Sequence, residues 1–415
     1  MRPMRSSPLP AEVDVLLVGA GAAGIAAGRR LKTAGADFLI LEARSRVGGR
    51  AWTVPHEGEG LDLGAGWLHS ADQNPLAGQV EPLGLTLDKT PPPWRSQAFN
   101  LGMSPDDQRA FGEAYGAFET RIAEAAARGE DQSAAELFDP DCRWNARMDA
   151  ISGALNGARF AEVSTVDSDR YEDTDVNWRV RQGYGRLLER LAEGLPVVLD
   201  CPVSRIDRSA APLVVETGRG AVRARTCILT APLSLIASGA VRVEPEPVAW
   251  LEAASGVPLG LAAKLHLAVE GAEDFPPDSQ LWGRTDTADT GGYHLRPFGR
   301  AMIEGYFGGS LAWQLEAEGL AGMAAFAVDE LVGLLGSGMR RRLTPVAASG
   351  WGADPWSRGA YSHALPGRAG DRFRLSEPLE DRLFLAGEAT SVPFYGTVHG
   401  AWMEGERAAD RALAA

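Results

Sequence analysis

The sequence predicts an α/β protein in which a parallel sheet wound by helices is joined to a second, α+β domain of mixed sheet and helical cover. Three observations carry this. A strand–glycine turn–helix–strand unit opens the chain, a buried strand and helix close it, and the long stretch between changes from helical to strand-like patterning. The length agrees, since 415 residues exceed one average domain and suit two. Hydrophobic residues make up 45%, enough for a large core.

In the opening unit the apolar run Val13–Val18 leads into Gly19-Ala20-Gly21-Ala22-Ala23-Gly24, an alanine-rich segment follows to Ala34, and Asp37–Leu41 ends in Glu42. Gly19 permits the tight turn out of the strand, Gly21 lets backbone approach a pyrophosphate, and Gly24 lets the helix pack closely on the sheet. The helix then aims its free N–H groups and positive dipole end at phosphate. Glu42 stands where a carboxylate accepts hydrogen bonds from ribose hydroxyls, and an acid there repels a 2′-phosphate, which disfavours NADP. Ala23 and Ala43 flank these groups and belong to the same expected site. This is a Rossmann-type, dinucleotide-binding reading; the alternative is a βαβ unit with a tight glycine turn and no ligand.

Downstream, Leu61–His69 reads as loop and short strand, and Pro91-Pro92-Pro93 as linker. Ser104, with Asp107 three residues on, marks a helix start. Phe111, Tyr115, Phe118 and Ile122 recur at helical spacing, as core rather than site, and Gly129 ends that helix; helical sequence continues to about Ala161. A helix from Gly183 leads to a buried strand at Pro196–Leu199. Thr217-Gly218-Arg219-Gly220 joins two hairpin strands, the second continuing through Leu229. Ala262–Val269 alternates as a strand, a helix spans about Gly319 to Leu335, Arg382–Ala386 is a final buried strand ending at Gly387-Glu388, and a helix runs from Gly400. An acid at the end of that last strand suggests that the chain returns to complete the first domain. The expected division is 1–78, 180–260 and 371–415 for the dinucleotide domain, with 79–179 and 261–370 for the second.

Composition excludes several classes. Cys142, Cys201 and Cys227 are scattered, so neither a zinc site nor a disulfide framework is expected, no metal is assigned, and a reducing cytoplasm suits them. The net charge of −14 argues against nucleic acid and mildly favours a cationic substrate, although a soluble acidic protein has the same balance. Met1–Pro10 shows no signal peptide, and no run of about eighteen apolar residues spans a membrane.

Four segments together resemble the flavin-containing amine oxidase family, which includes monoamine oxidases, polyamine oxidases and flavin-dependent histone demethylases. They are Leu41-Glu42-Ala43-Arg44 through Gly48-Gly49-Arg50, Asp62–His69, Trp351–Ser362, and Ala386-Gly387-Glu388 through Tyr395–Ala401. The third and fourth look most like the polyamine oxidase and demethylase branch. The resemblance implies FAD, with Glu42 on the adenosine ribose, Arg44 and Arg50 on the adenine–ribose and diphosphate side, and Val203 meeting the adenine. It places Gly66 and Trp67 along the isoalloxazine, Glu388 after Gly387 on the ribityl or phosphate side, and Thr397 and Val398 beside the flavin ring. Covalently flavinylated relatives carry a cysteine where this chain has Ala360, so the FAD is expected to be non-covalent.

The resemblance also nominates catalytic residues. Lys264 is expected near flavin N5, the alternative being an edge-strand lysine reaching solvent. Tyr361 is one wall of the family's aromatic pair, or else core; Thr397 stands where monoamine oxidases place the second tyrosine. His69 and His399 fall in flavin-adjacent segments, as tuners of substrate protonation or, preferably, structural hydrogen-bonders. The implied reaction is oxidation of an amine to an imine with O2 as acceptor. An L-amino acid oxidase is the main rival, weakened by Trp67 where those enzymes carry an arginine; a desaturase-type relative or a non-catalytic flavoprotein ranks below it. The resemblance leaves room for a homodimer.

Overall fold

The apolar run Val13–Val18 forms a strand whose residues Val15–Val18 are buried on both faces, the pattern expected of an interior parallel strand. In the computed structural model, which describes residues 8–415, Glu12–Val18 pairs in parallel with Phe38–Leu41 on one side and Gly220–Leu229 on the other. Val197–Val198 extends the sheet beyond Phe38–Leu41. Gly220–Leu229 is long enough to take two partners on its far edge. Its first half pairs antiparallel with Leu213–Thr217, and Cys227–Leu229 pairs in parallel with Leu383–Leu385. Val203–Asp207 and Arg242–Glu244 complete the eight strands. The chain's end therefore does return to the sheet of its beginning. The helices Ala22–Thr33 and Val398–Ala414 pack against each other on the sheet's face.

A second, antiparallel sheet has the order Ser279–Trp282, Gly292–Leu295, Met302–Gly308, Ala262–Val269, Leu343–Ala348. Ala262–Val269 alternates as expected, but both its faces are buried. Leu265 and Leu267 pack with Leu311, Leu315 and Leu331 of the helix Gly309–Leu335, while Lys264 and His266 face Asp62 at the end of the short strand Glu59–Asp62. With neighbours on both edges, Ala262–Val269 is not an edge strand, which removes the solvent-reaching alternative for Lys264.

Pro105–Ala127 is a helix with the expected capping box, the Asp107 N–H donating to Ser104 Oγ and the Ser104 N–H to the Asp107 carboxylate. Asn145–Asn156 is the other long helix of that region, so the helical stretch is interrupted by the connection 128–144, which holds only the short 3-10 helix Ala134–Leu137. Three corrections follow. The helix expected from Gly319 begins at Gly309, because the positive φ of Gly319 kinks it without ending it. The strands at 279–282, 292–295 and 302–308 were not anticipated. The last helix starts at Val398. The absence of a signal peptide was read from Met1–Pro10, of which residues 1–7 lie outside the described residues. Among the described residues no helix is long and apolar enough to cross a membrane, and no group of His, Cys, Asp or Glu could hold a metal ion.

Candidate active site

One cavity of about 990 Å³ runs from the carboxyl end of the parallel strands to the floor of the antiparallel sheet. At its first end, Glu42 is buried; Oε2 accepts from the Ala20 N–H at 2.7 Å and Oε1 from the Arg44 N–H at 2.8 Å. Burial nevertheless pushes this carboxyl above its ordinary range. Ala43, Arg44 and Val203 line the same end. Arg44 Nη2 donates to Asp354 Oδ1 at 2.6 Å and Ser357 Oγ at 2.7 Å, while its buried Nε has no partner among the described residues.

The next section is a backbone cradle. Gly19, Gly21, Ala23 and Gly49 line it, and a Cβ on Gly49 would stand 3.3 Å from the Gly21 Cα. The helix Ala22–Thr33 opens here with no side-chain cap and no acid in its first turn, leaving its N–H groups to an anion. These residues fit a dinucleotide diphosphate. Gly24 lies behind the cavity wall, where a Cβ would meet the Gly19 carbonyl oxygen at 1.9 Å; it serves packing. Arg50 Nη1 bridges the Ala360 carbonyl at 2.6 Å and Glu388 Oε1 at 2.9 Å. Glu388 Oε2 accepts from Ser362 Oγ at 2.7 Å and the Gly396 N–H at 3.0 Å. Burial would raise this carboxyl, but Arg50, Ser362 and Arg372 hold it low. Gly387 lines the cavity beside it.

Gly66, Trp67, Lys264, Tyr361, Thr397 and Val398 converge further in. A Cβ on Gly66 would lie 2.9 Å from Lys264 Nζ, so the ammonium sits close against the Gly66 backbone and would shift to make room for a side chain there. Lys264 Nζ pairs with Glu304 Oε1 at 3.3 Å. Burial opposes both charges, yet each sustains the other: Glu304 is held down at about 2 and Lys264 is raised above its ordinary value, helped by Asp62. Tyr361 Oη donates to the Ala154 carbonyl and meets Tyr306 Oη at 3.0 Å. Thr397 Oγ1 donates to the Phe394 carbonyl at 2.7 Å and accepts from the Gly400 N–H at 3.0 Å. It caps the last helix, so its hydroxyl is committed to that turn. His69 Nδ1 bonds Asn177 Oδ1 at 2.7 Å, and burial lowers its pKa; His399, buried beside it, is pushed down to about 3. His399 is therefore neutral well below neutral pH.

The family described as flavin containing amine oxidoreductase matches this chain over residues 22–118 and 107–413. The chain belongs to that family. Polyamine oxidase 4 of Oryza sativa subsp. japonica is 28% identical over 443 residues, covering 96% of this chain and 88% of its own. Polyamine oxidase 2 of Arabidopsis thaliana is 29% identical over 436 residues, covering 96% and 87%. Lysine-specific histone demethylase 1 homolog 2 of Arabidopsis thaliana is 28% identical, covering 97% of this chain but 58% of its own. Among solved structures, putrescine oxidase bound to putrescine superposes with a TM-score of 0.80 at 20% identity, covering 97% of this chain and 99% of that one. Cyclohexylamine oxidase from Brevibacterium oxydans IH-35A gives 0.78 at 22%. At such identities these two show the shared fold.

This flavin-containing amine oxidoreductase is thus an amine-oxidising enzyme, and its cofactor is FAD. Its site contains groups the sequence reading did not single out. Glu304 and Tyr306 stand on the unanticipated strand Met302–Gly308, with Tyr306 opposite Lys264. Asp62, partly buried, acts on Lys264 by its charge and accepts from the Tyr184 N–H at 3.0 Å. Tyr115, Phe118 and Ile122, whose spacing predicts core, pack in the core and line the cavity as well.

Proposed function

We propose that the protein is an FAD-dependent amine oxidase that converts a primary or secondary amine, of which polyamines are one class, to the imine. The observation that carries this is a single cavity joining an uncapped dinucleotide turn to a buried lysine and a tyrosine pair. Bound FAD supplies a hydride acceptor for the α-carbon of the amine, with O2 reduced to hydrogen peroxide. The chain's own residues hold and orient. Glu42, Arg44, Ala43 and Val203 take the adenosine half; Gly19, Gly21, Gly49, Arg50, Gly387 and Glu388 the diphosphate and ribityl span. Gly66, Trp67, Thr397 and Val398 flank the ring, where the start of the last helix favours negative charge. Lys264 keeps its proton at Nζ beside Gly66. Tyr361, fixed through its hydroxyl, offers a ring against the amine. The walls from Tyr115, Phe118 and Ile122 exclude water.

The segments 1–78, 180–260 and 371–415 form the FAD domain in this reading, and 79–179 with 261–370 the substrate domain. Free cysteines suit a cytoplasmic site. An amine panel tests the function: polyamines, monoamines and L-amino acids are mixed anaerobically with the holoenzyme and flavin bleaching is followed, then peroxide on adding air. Bleaching by at least one amine is expected; failure by every class would overturn the proposal. Ala360 offers no thiol for attachment, so acid precipitation should leave yellow FAD in the supernatant. Flavin retained on the precipitated chain would show a covalent link instead.

A further inference from the structure

Arg147, in the first turn of the helix Asn145–Asn156, is only 3% exposed and lines the cavity. Its guanidinium lies 3.7 Å from the Trp282 ring centroid and 4.5 Å from that of Phe111. Its Nε and Nη2 have no acceptor among the described residues. These two N–H groups form the side-on fork that guanidinium presents to a carboxylate. Other interior arginines are paired: Arg372 with Asp167, Arg179 with Asp88 and Asp278, Arg44 with Asp354. Arg147 has burial pulling it down to about 9 and no carboxylate holding it up. A buried cation without a counter-ion is costly unless a ligand supplies one.

Its place relative to the reacting end follows from sheet register. Lys264 stands opposite Tyr306, Tyr306 opposite Gly292, and Gly292 opposite Trp282. Directly opposed residues share a face, so this row leads across the cavity floor from Lys264 to the ring beneath Arg147, a span of about 14 Å at roughly 4.8 Å per strand. Gly292 adds no side chain to that floor. The mouth carries the exposed acids Glu119, Asp169 and Asp173. The cavity is thus anionic where a substrate enters and cationic at one inner end.

Resting on the amine oxidase reading above, we propose that Arg147 is a subsite for a carboxylate at the far end of the substrate, which is an aminocarboxylate whose charged groups are separated by a flexible chain. An α-amino acid, with its carboxylate one bond from the reacting carbon, is too short to reach both ends. A diamine puts a second cation against Arg147.

The test uses wild-type holoenzyme and Arg147→Met. Straight-chain terminal aminocarboxylates from aminobutanoate to aminooctanoate are compared with alkylamines, diamines and terminal amino amides of equal length. The longer aminocarboxylates are expected to have the highest kcat/KM, through KM. In Arg147→Met their advantage over alkylamines should fall by roughly tenfold to a hundredfold, with part of it returned in Arg147→Lys. Octanoate, which has no amine, should perturb the flavin absorption spectrum of the wild type and not of Arg147→Met. Octanoate binding through Arg147 without oxidation of any amine would keep the subsite and remove the oxidase reading. Amine oxidation with diamines or amino amides matching the aminocarboxylates, or with no change of preference in Arg147→Met, would remove the subsite and keep the oxidase.

Discussion

Lys264→Met is expected to slow amine oxidation by about a hundredfold or more and to destabilise the protein by about 3–5 kcal/mol. The rate loss is the usual scale for removing one preorganised charged group from a water-excluded site. The stability loss comes from the group left behind. Glu304 is mostly buried and paired through Lys264 at 3.3 Å, with two histidines as its other basic neighbours, His266 at 3.9 Å and His294 opposite it on the adjoining strand. Without Lys264 its carboxylate keeps only imidazoles beside it, and a mostly buried charge loses its ammonium partner. The two effects separate in Lys264→Met/Glu304→Gln, where most of the stability should return and the rate should not. Urea unfolding and anaerobic stopped-flow with the best amine of the panel read the two. The pH dependence carries the same signature. Glu304 is held at about 2 against an ordinary 4.5, so its contribution is complete above 4.5 and fades as pH falls toward 2. Lys264 is raised above 10.5, so its contribution is complete below that value and fades as pH rises through the folded pKa. The variant's deficit should therefore be flat through neutral pH and shrink toward pH 2. A wild-type rate in the variant with FAD bound would reduce Lys264 to a structural ion-pair partner.

How much of this site could be read in the chain depends on whether its logic is local. Gly19, Gly21, Gly24 and Glu42 lie within one βαβ unit, where turn, helix start and strand end are fixed by residues two dozen positions apart; Gly24 packs closely on Gly19 there, and Glu42 closes the turn by accepting from the Ala20 N–H. Lys264 is conspicuous because it interrupts apolar sequence. Its partners are not conspicuous. Glu304 is forty positions away, and reaches Lys264 only because Met302–Gly308 pairs with Ala262–Val269. The signal for that strand was present: Ile303, Gly305 and Phe307 alternate with Glu304 and Tyr306 after the turn at Pro297-Phe298-Gly299. Glycines at 305 and 308 obscured it. Phe118 shows another limit, since helical spacing identifies a buried face but not whether that face meets other side chains or a cavity. Arg147 is the extreme case. Its position on a helix is legible, but its lack of a counter-ion is a property of everything around it.

Arg372→Met should cost about 3–5 kcal/mol as well, for a different reason. Arg372 is fully buried and ties three separated segments together. Nε and Nη2 grip the two Asp167 oxygens at 2.7 and 2.8 Å, Nη1 donates to Ser362 Oγ at 2.9 Å and the Ala389 carbonyl at 3.1 Å, and the Tyr395 ring lies 4.0 Å away. Asp167 belongs to the short helix Thr165–Asp169, next to Ser168 and Asp169 of the cavity wall, and its Oδ2 also accepts from the Ala364 N–H. Ser362 passes the connection on to Glu388. Removing the guanidinium strands Asp167 in the core and frees the hydroxyl that orients Glu388, so lower FAD occupancy should accompany the loss of stability. In Arg372→Met/Asp167→Leu the buried charge is gone, and much of the stability should return. FAD occupancy should recover less, because Ser362 still lacks its donor and Glu388 its distant cation. Equal recovery of both, measured by urea midpoint and by the flavin-to-protein absorbance ratio, would mean that Arg372 acts on the cofactor site only through global stability. An Arg372→Met variant within about 1 kcal/mol of wild type would mean that water or a shifted neighbour compensates Asp167, and that the tie between the helical wall and Glu388 is not made by charge.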